Sequence, residues 1–183
     1  MQRKFFVILT IFLATIFLAV VSFYVISRKN LNFNSKTQTS VGIDVGKIAP
    51  EFTITTIDGE KIKSVDLRGK IVVLTSSVAW CPTCVMEAKE FSPVYLKYKD
   101  KPVLFITVDI DPRDSKEFIE QFKIENNTPW PYVDVRGGID IIQKYSLNRF
   151  EITYILDKQG IIRFKDMVIT TSDILDQELQ KLL

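Results

Sequence analysis

The chain opens on a long apolar run. From Phe5 to Ile26 no residue is charged, and only Thr10, Thr15 and Ser22 break the apolar character. At about 1.5 Å per residue a helix of this length reaches about 33 Å, enough for a hydrocarbon core of roughly 30 Å. Val20-Val21-Ser22 resembles a cleavage site, but apolar sequence continues through Phe23-Tyr24-Val25-Ile26. A removed signal has an apolar stretch of only about 7–15 residues, so the run predicts one uncleaved N-terminal transmembrane helix over 1–27. Arg3 and Lys4 precede it and Arg28, Lys29 and Lys36 follow, which leaves its orientation undecided by charge. Residues 28–45, "RKNLNFNSKTQTSVGIDV", lack a sustained apolar period and predict a flexible linker. Residues 46–183 are long enough for one domain with its own core.

Within that domain the period changes several times. "EFTITTIDGEKIKSVDL" alternates about Asp58-Gly59 and predicts a hairpin. "KIVVLTSS" (Lys70 to Ser77) and "KPVLFITVDI" are continuous apolar runs, the signature of strands buried on both faces. Between them, Val85, Ala88, Phe91, Val94, Tyr95 and Tyr98 share one face of a helix predicted over Pro82 to Lys99. Asp114 with Glu117 three residues on predicts a capped helix through Phe122 or Lys123. An extended piece at "WPYVDV" and a helix from Gly138 to Tyr145 follow, with "VRGG" (Val135 to Gly138) read as a turn. Strands at "ITYILD" and "IIRFKDM" and a last helix opening at Ser172 complete the order. That order implies an α/β layer fold with a mixed central sheet flanked by helices.

Composition narrows the chemistry. The net charge is only +2 and the basic residues are dispersed, so no basic stripe for nucleic acid exists. The chain has two cysteines and no histidine. Both cysteines stand in "SSVAWCPTCVMEAKEF", where the first buried-strand signal gives way to the long helix. A structural zinc site needs four N or S ligands, so carboxylates or another subunit would have to complete one, and no metal site is expected. A c-type haem site needs histidine after the second cysteine, where Val85 stands. Two unrelated buried thiols remain as the plain alternative. The redox reading has a physical case: Pro82 suits the first helical position, placing Cys81 at the N-cap beside free N–H groups and the positive end of the dipole, which favour an anion. Cys84, one turn further, lies on the same face and can close a disulfide with Cys81, so Cys81 is expected to attack and Cys84 to resolve. Asp109, Asp111 and Asp114 lack the glycine and terminal glutamate of a calcium loop and read as a strand end and a helix cap.

Trp80-Cys81-Pro82-Thr83-Cys84 after a buried strand resembles the active site of thioredoxin-like proteins. The likeness is nearer to membrane-anchored thioredoxin-like proteins of the TlpA/ResA type, within the AhpC/TSA-redoxin superfamily. It covers roughly Val45 to Asp166, through "GKIAPEFTITTIDGEKIKSVDLRGK", "LFITVDID", "YVDVRGGIDIIQKYSL" and "TYILDKQGIIRF". The resemblance implies a thioredoxin-like fold and a thiol-disulfide oxidoreductase with a redox-active Cys81–Cys84 disulfide and no cofactor. It makes Glu87, three residues after the second cysteine, part of the catalytic set with Cys81 and Cys84. It places Trp80, Pro82, Thr83, Phe150 and Glu151 on the partner-binding rim. The partners it implies are protein thiols and disulfides, with a membrane electron donor or acceptor, and reductive work in cytochrome c maturation is one role. The domain is expected outside the cytoplasm, a placement that suits a chain without stray thiols.

Two positions depart from the pattern. Counting back six residues from Asp157, where such proteins carry a cis-proline facing the disulfide, gives Glu151. A cis bond before a non-proline residue costs about 2.5–4 kcal/mol, so Phe150–Glu151 is expected trans. Arg149 and Glu151 are candidates to present charge to the site. The helix proline of these relatives is replaced by Lys89, with Pro93 four residues on. The rival readings are a peroxiredoxin-like thiol peroxidase and a Sco-like metal-binding or assembly protein.

Overall fold

The computed structural model describes residues 14–24 and 40–183. The chain divides into two units, 1–38 and 39–183. Of the first, 14–24 are described and are helical. The expected anchor therefore lies mostly outside the described residues, and among these no helix is long and apolar enough to cross a membrane.

In the second unit, backbone pairing starts with the bridge between Val41 and Ile48. The hairpin expected about Asp58-Gly59 forms from β1 (Thr53–Thr55) and β2 (Lys61–Lys63), antiparallel, with Ile54 opposite Ile62. Gly59, at φ 87, takes the left-handed position that lets this chain reverse. A 3-10 turn (Ser64–Leu67) leads to β3 (Ile71–Ser77), every residue of which is buried. Then come α1 (Pro82–Tyr98), β4 (Val103–Asp109), α2 (Lys116–Glu125), β5 (Tyr132–Val133), α3 (Val135–Lys144), β6 (Thr153–Leu156), β7 (Ile162–Asp166) and α4 (Ser172–Gln180).

The main sheet has the order β5-β4-β3-β6-β7. β3 pairs parallel with β4 and antiparallel with β6, so the sheet is mixed and β3 is its middle strand. The continuous apolar run of β3 follows from that position, because both of its faces meet packed layers. Ile71 and Val73 join Phe91 of α1, Phe105 and Leu175 of α4 on one side. Val72 and Leu74 join Ile54, Ile106 and Ile141 of α3 on the other.

Helix starts differ from the sequence reading by a few residues, each for a visible reason. Ser115, not Asp114, caps α2: its Oγ accepts the Phe118 N–H at 3.2 Å. Thr171, not Ser172, caps α4. "VRGG" is no turn but the first turn of α3, started by Asp134, whose Oδ1 accepts the Gly137 N–H at 2.7 Å. A Cβ on Gly137 would collide with the carbonyl oxygen of Thr55, so the missing side chain lets α3 sit against β1. Pro93 lies inside α1 and removes one of its backbone donors without ending the helix.

Candidate active site

The middle strand hands over to α1 through Val78, Ala79 and Trp80, and Cys81 is the N-cap. Its φ of −88° and ψ of 123° are extended, as a cap requires. Its side chain does what a capping serine does elsewhere: Sγ accepts the Cys84 N–H at 3.3 Å. The Thr83 hydroxyl lies 3.0 Å from the same sulfur. Pro82, exposed, fills the first helical position, where its missing N–H costs nothing.

Both thiols are free, and both are buried, Cys81 with 3% of its surface exposed and Cys84 with 2%. Accessibility thus does not separate them in this reduced state. Burial, reinforced by the hydrogen bond to Cys81, pushes the Cys84 thiol well above the ordinary range for cysteine.

Glu87 lies beneath the pair and is only 3% exposed. Its Oε2 accepts from Thr75 Oγ1 at 3.2 Å, and its Oε1 accepts the Thr170 N–H at 3.2 Å. Thr153 Oγ1 is 3.5 Å from Oε1. Burial outweighs these donors and pushes the carboxyl up to about 7. Glu87 and Cys84 line one cavity of about 10 Å³ together with Thr75, Ser77, Thr107 and Tyr132, room for about one water molecule among hydroxyls.

Trp80 leaves 52% of its surface exposed, and Phe150 packs edge-on against it with ring centroids 6.2 Å apart. The acidic run after β4, read from sequence as a strand end and a cap, fixes this rim. Asp111 Oδ2 accepts from Trp80 Nε1 at 2.8 Å and binds Arg113 at 2.6 Å, which holds Asp111 well below the usual carboxylate range. Asp114 Oδ2 accepts the Ala79 N–H at 2.8 Å. These two aspartates brace the segment that carries Cys81. Sequence reasoning missed this part, as it missed Thr170, which has no motif to betray it.

Opposite the thiols, the Phe150–Glu151 bond is trans, since no cis bond occurs among the described residues. Glu151 takes φ 65, a left-handed conformation uncommon for a residue with a side chain. Its N–H donates to the Ser76 carbonyl at 2.8 Å. The Ser76 hydroxyl donates to the Arg149 carbonyl at 2.8 Å and accepts the Ile152 N–H at 3.0 Å. Of the two charges expected at the site, Arg149 is exposed and Glu151 is turned inward, 9% exposed. A carboxylate oxygen of Glu151 and both cysteine sulfurs lie within 4.8 Å of one another. Two sulfurs and no histidine had spoken against a metal; the fold supplies a third donor that linear spacing hides.

With this geometry in view, residues 45–165 match the AhpC/TSA family. The chain belongs to that family. It is 33% identical over 142 residues to a thiol-disulfide oxidoreductase ResA of Bacillus cereus, covering 76% of this chain and 79% of that protein. It is 26% identical over 147 residues to the thioredoxin-like protein YneN of Bacillus subtilis, covering 80% and 85%. Among solved structures, the thioredoxin domain of a thiol-disulfide oxidoreductase from Bacteroides vulgatus superposes with a TM-score of 0.65 at 24% identity, over 76% of this chain and 98% of that one. StoA from Bacillus subtilis superposes with a TM-score of 0.60 at 23% identity, over 71% and 96%. The fold of this AhpC/TSA member is thioredoxin-like, and the protein is a thiol-disulfide oxidoreductase.

Proposed function

We propose that the protein exchanges disulfides with protein partners outside the cytoplasm, held at a membrane by its apolar N-terminal run, with Cys81 as nucleophile, Cys84 as resolving thiol and Glu87 as proton carrier. The carrying observation is the Cys81 sulfur at the helix cap, accepting the N–H of the second cysteine, with a buried carboxyl sharing a cavity with that cysteine.

Cys81 thiolate attacks one sulfur of a partner disulfide; a mixed disulfide forms and the partner's other sulfur leaves as thiolate. Cys84 gives its proton to Glu87 through the shared cavity. Its sulfur then attacks Cys81 Sγ, closing the Cys81–Cys84 bond and releasing the second partner thiolate. Two electrons have passed to the partner, and a dithiol donor at the membrane restores the pair. A carboxyl held near 7 by burial is suited to this exchange, because near neutral pH it accepts and donates with similar ease. Trp80, Pro82, Thr83 and Phe150 form the rim on which the partner rests, and Glu151 closes the far side. Within this proposal, work as a reductant in cytochrome c maturation is the role implied by the resemblance to TlpA/ResA-type proteins.

The test is to express Cys84→Ser in native membranes and identify what stays covalently bound to Cys81. Discrete, dithiothreitol-sensitive adducts with extracytoplasmic proteins are expected. Their absence, with the variant folded and Cys81 reactive, overturns the partner-directed reading.

A further inference from the structure

A carboxylate taken out of water without a counter-charge or a full set of donors is costly, and most such groups are paired. Glu151 breaks this rule. Its Oε1 is buried and has no hydrogen-bond partner among the described residues. No described lysine or arginine forms an ion pair with it; the salt bridges engage other carboxylates. What it does face is sulfur: Cys81 Sγ, Cys84 Sγ and a Glu151 oxygen lie within 4.8 Å of one another.

We propose that the reduced protein binds one thiophilic divalent cation, Zn²⁺ or an ion of like preference, through Cys81 Sγ, Cys84 Sγ and the Glu151 carboxylate. Tetrahedral zinc takes sulfur at about 2.3 Å and carboxylate oxygen at about 2.0–2.2 Å, which places neighbouring donors about 3.6–3.8 Å apart. Donors no more than 4.8 Å apart need draw in by only about 1 Å to meet that geometry. Two thiolates select against magnesium and calcium, which prefer all-oxygen shells, and in favour of zinc-like ions. Three protein donors leave the fourth position for water or an incoming thiolate, the arrangement of open zinc sites. The ion also supplies what Glu151 lacks, a positive charge beside a buried carboxylate.

Binding displaces one proton from each thiol and transfers no electrons. It requires both cysteines reduced, so the ion and the Cys81–Cys84 disulfide exclude one another. Occupancy would hold the pair reduced and shield it from partners. The site does not depend on which partner the protein serves, since it requires only the two thiols and the carboxylate.

The test uses the full chain, reduced with a phosphine and kept anaerobic. Titrated Co²⁺ is expected to give a sulfur-to-cobalt charge-transfer band with tetrahedral ligand-field bands, saturating at one ion per chain and bleached by Zn²⁺. The oxidised chain is expected to show neither. In chelator competition, Glu151→Gln and Glu151→Ala are each expected to weaken Zn²⁺ binding by about tenfold or more. Thermal melts establish which variants are folded, and the wild-type spectrum stands whichever of them is. Absence of the charge-transfer band from the reduced chain, one ion per two chains, or unchanged affinity in a folded Glu151 variant would each overturn the proposal.

Discussion

The backbone N–H of Thr170, from the segment leading into α4, donates at 3.2 Å to Oε1 of Glu87, a side chain of α1. It is one of the donors that oppose burial, and burial still wins, so the carboxyl sits near 7 against an ordinary 4.5. The native state therefore keeps a proton between pH 4.5 and 7 that the unfolded chain has released. Stability falls as pH rises through that window, and above about 7 the full cost of the buried anion is present. The cost is on the order of 3 kcal/mol. Glu87→Gln should gain stability relative to the parent by that amount between pH 4 and pH 8, read from urea denaturation at a series of pH values. Parallel curves for the two proteins would show that folding does not raise the Glu87 carboxyl above its unfolded range.

The same variant separates binding from resolution. If Glu87 takes the Cys84 proton, Glu87→Gln slows release of the mixed disulfide while leaving the first attack by Cys81 nearly untouched. A loss of about 100-fold in the resolving rate at pH 7 is expected, measured by quenched-flow trapping of the adduct.

Exposure does not separate the two sulfurs, but burial and the hydrogen bond to Cys81 push the Cys84 thiol up, so alkylation should tell them apart. At pH 8 iodoacetamide should label Cys81 faster than Cys84 by about tenfold or more in the folded, reduced chain, and the difference should vanish in urea. Peptide mass mapping at early times reads the ratio. Equal labelling in the native protein would undo the assignment of roles.

The rim depends on two aspartates. Asp114→Ala leaves the Ala79 N–H without its acceptor, at a cost of about 1–3 kcal/mol. Asp111→Asn weakens the hold on Trp80 Nε1 and should change the polarisation and quenching of Trp80 fluorescence more than it changes the melting temperature. Trp130, fully buried with its Nε1 on Thr107, gives a constant background.

Gly137→Ala tests why "VRGG" is glycine-rich. The added methyl meets the Thr55 carbonyl and must push α3 from the hairpin, costing about 1–3 kcal/mol in chemical denaturation. No loss would mean that the helix has slack there.

Much of this was legible in the sequence because it lies in local pattern. The unbroken apolar run of Ile71 to Ser77 marks a strand buried on both faces, and Pro82 marks the helix start that makes Cys81 a cap. What stayed hidden depends on residues far apart in the chain. Thr75, Thr153 and Thr170 converge on Glu87 from three different segments, and no spacing rule connects them. Asp114 looked like a cap because cap and brace use the same acceptor chemistry; only the position of Ala79 tells which N–H it serves. Glu151 could be located by counting from Asp157, yet the inward turn of its carboxylate toward the sulfurs needed the folded backbone.

Ser76 takes up the main-chain groups that the far wall could otherwise extend to a visiting chain. The Glu151 N–H is spent on its carbonyl, and the Arg149 carbonyl is occupied by its hydroxyl. A guest segment lying across the cleft therefore finds few ladder positions free and must be recognised by shape and side-chain chemistry at Trp80 and Phe150. Such a surface would be choosy about its clients, where an open strand edge accepts almost any extended sequence.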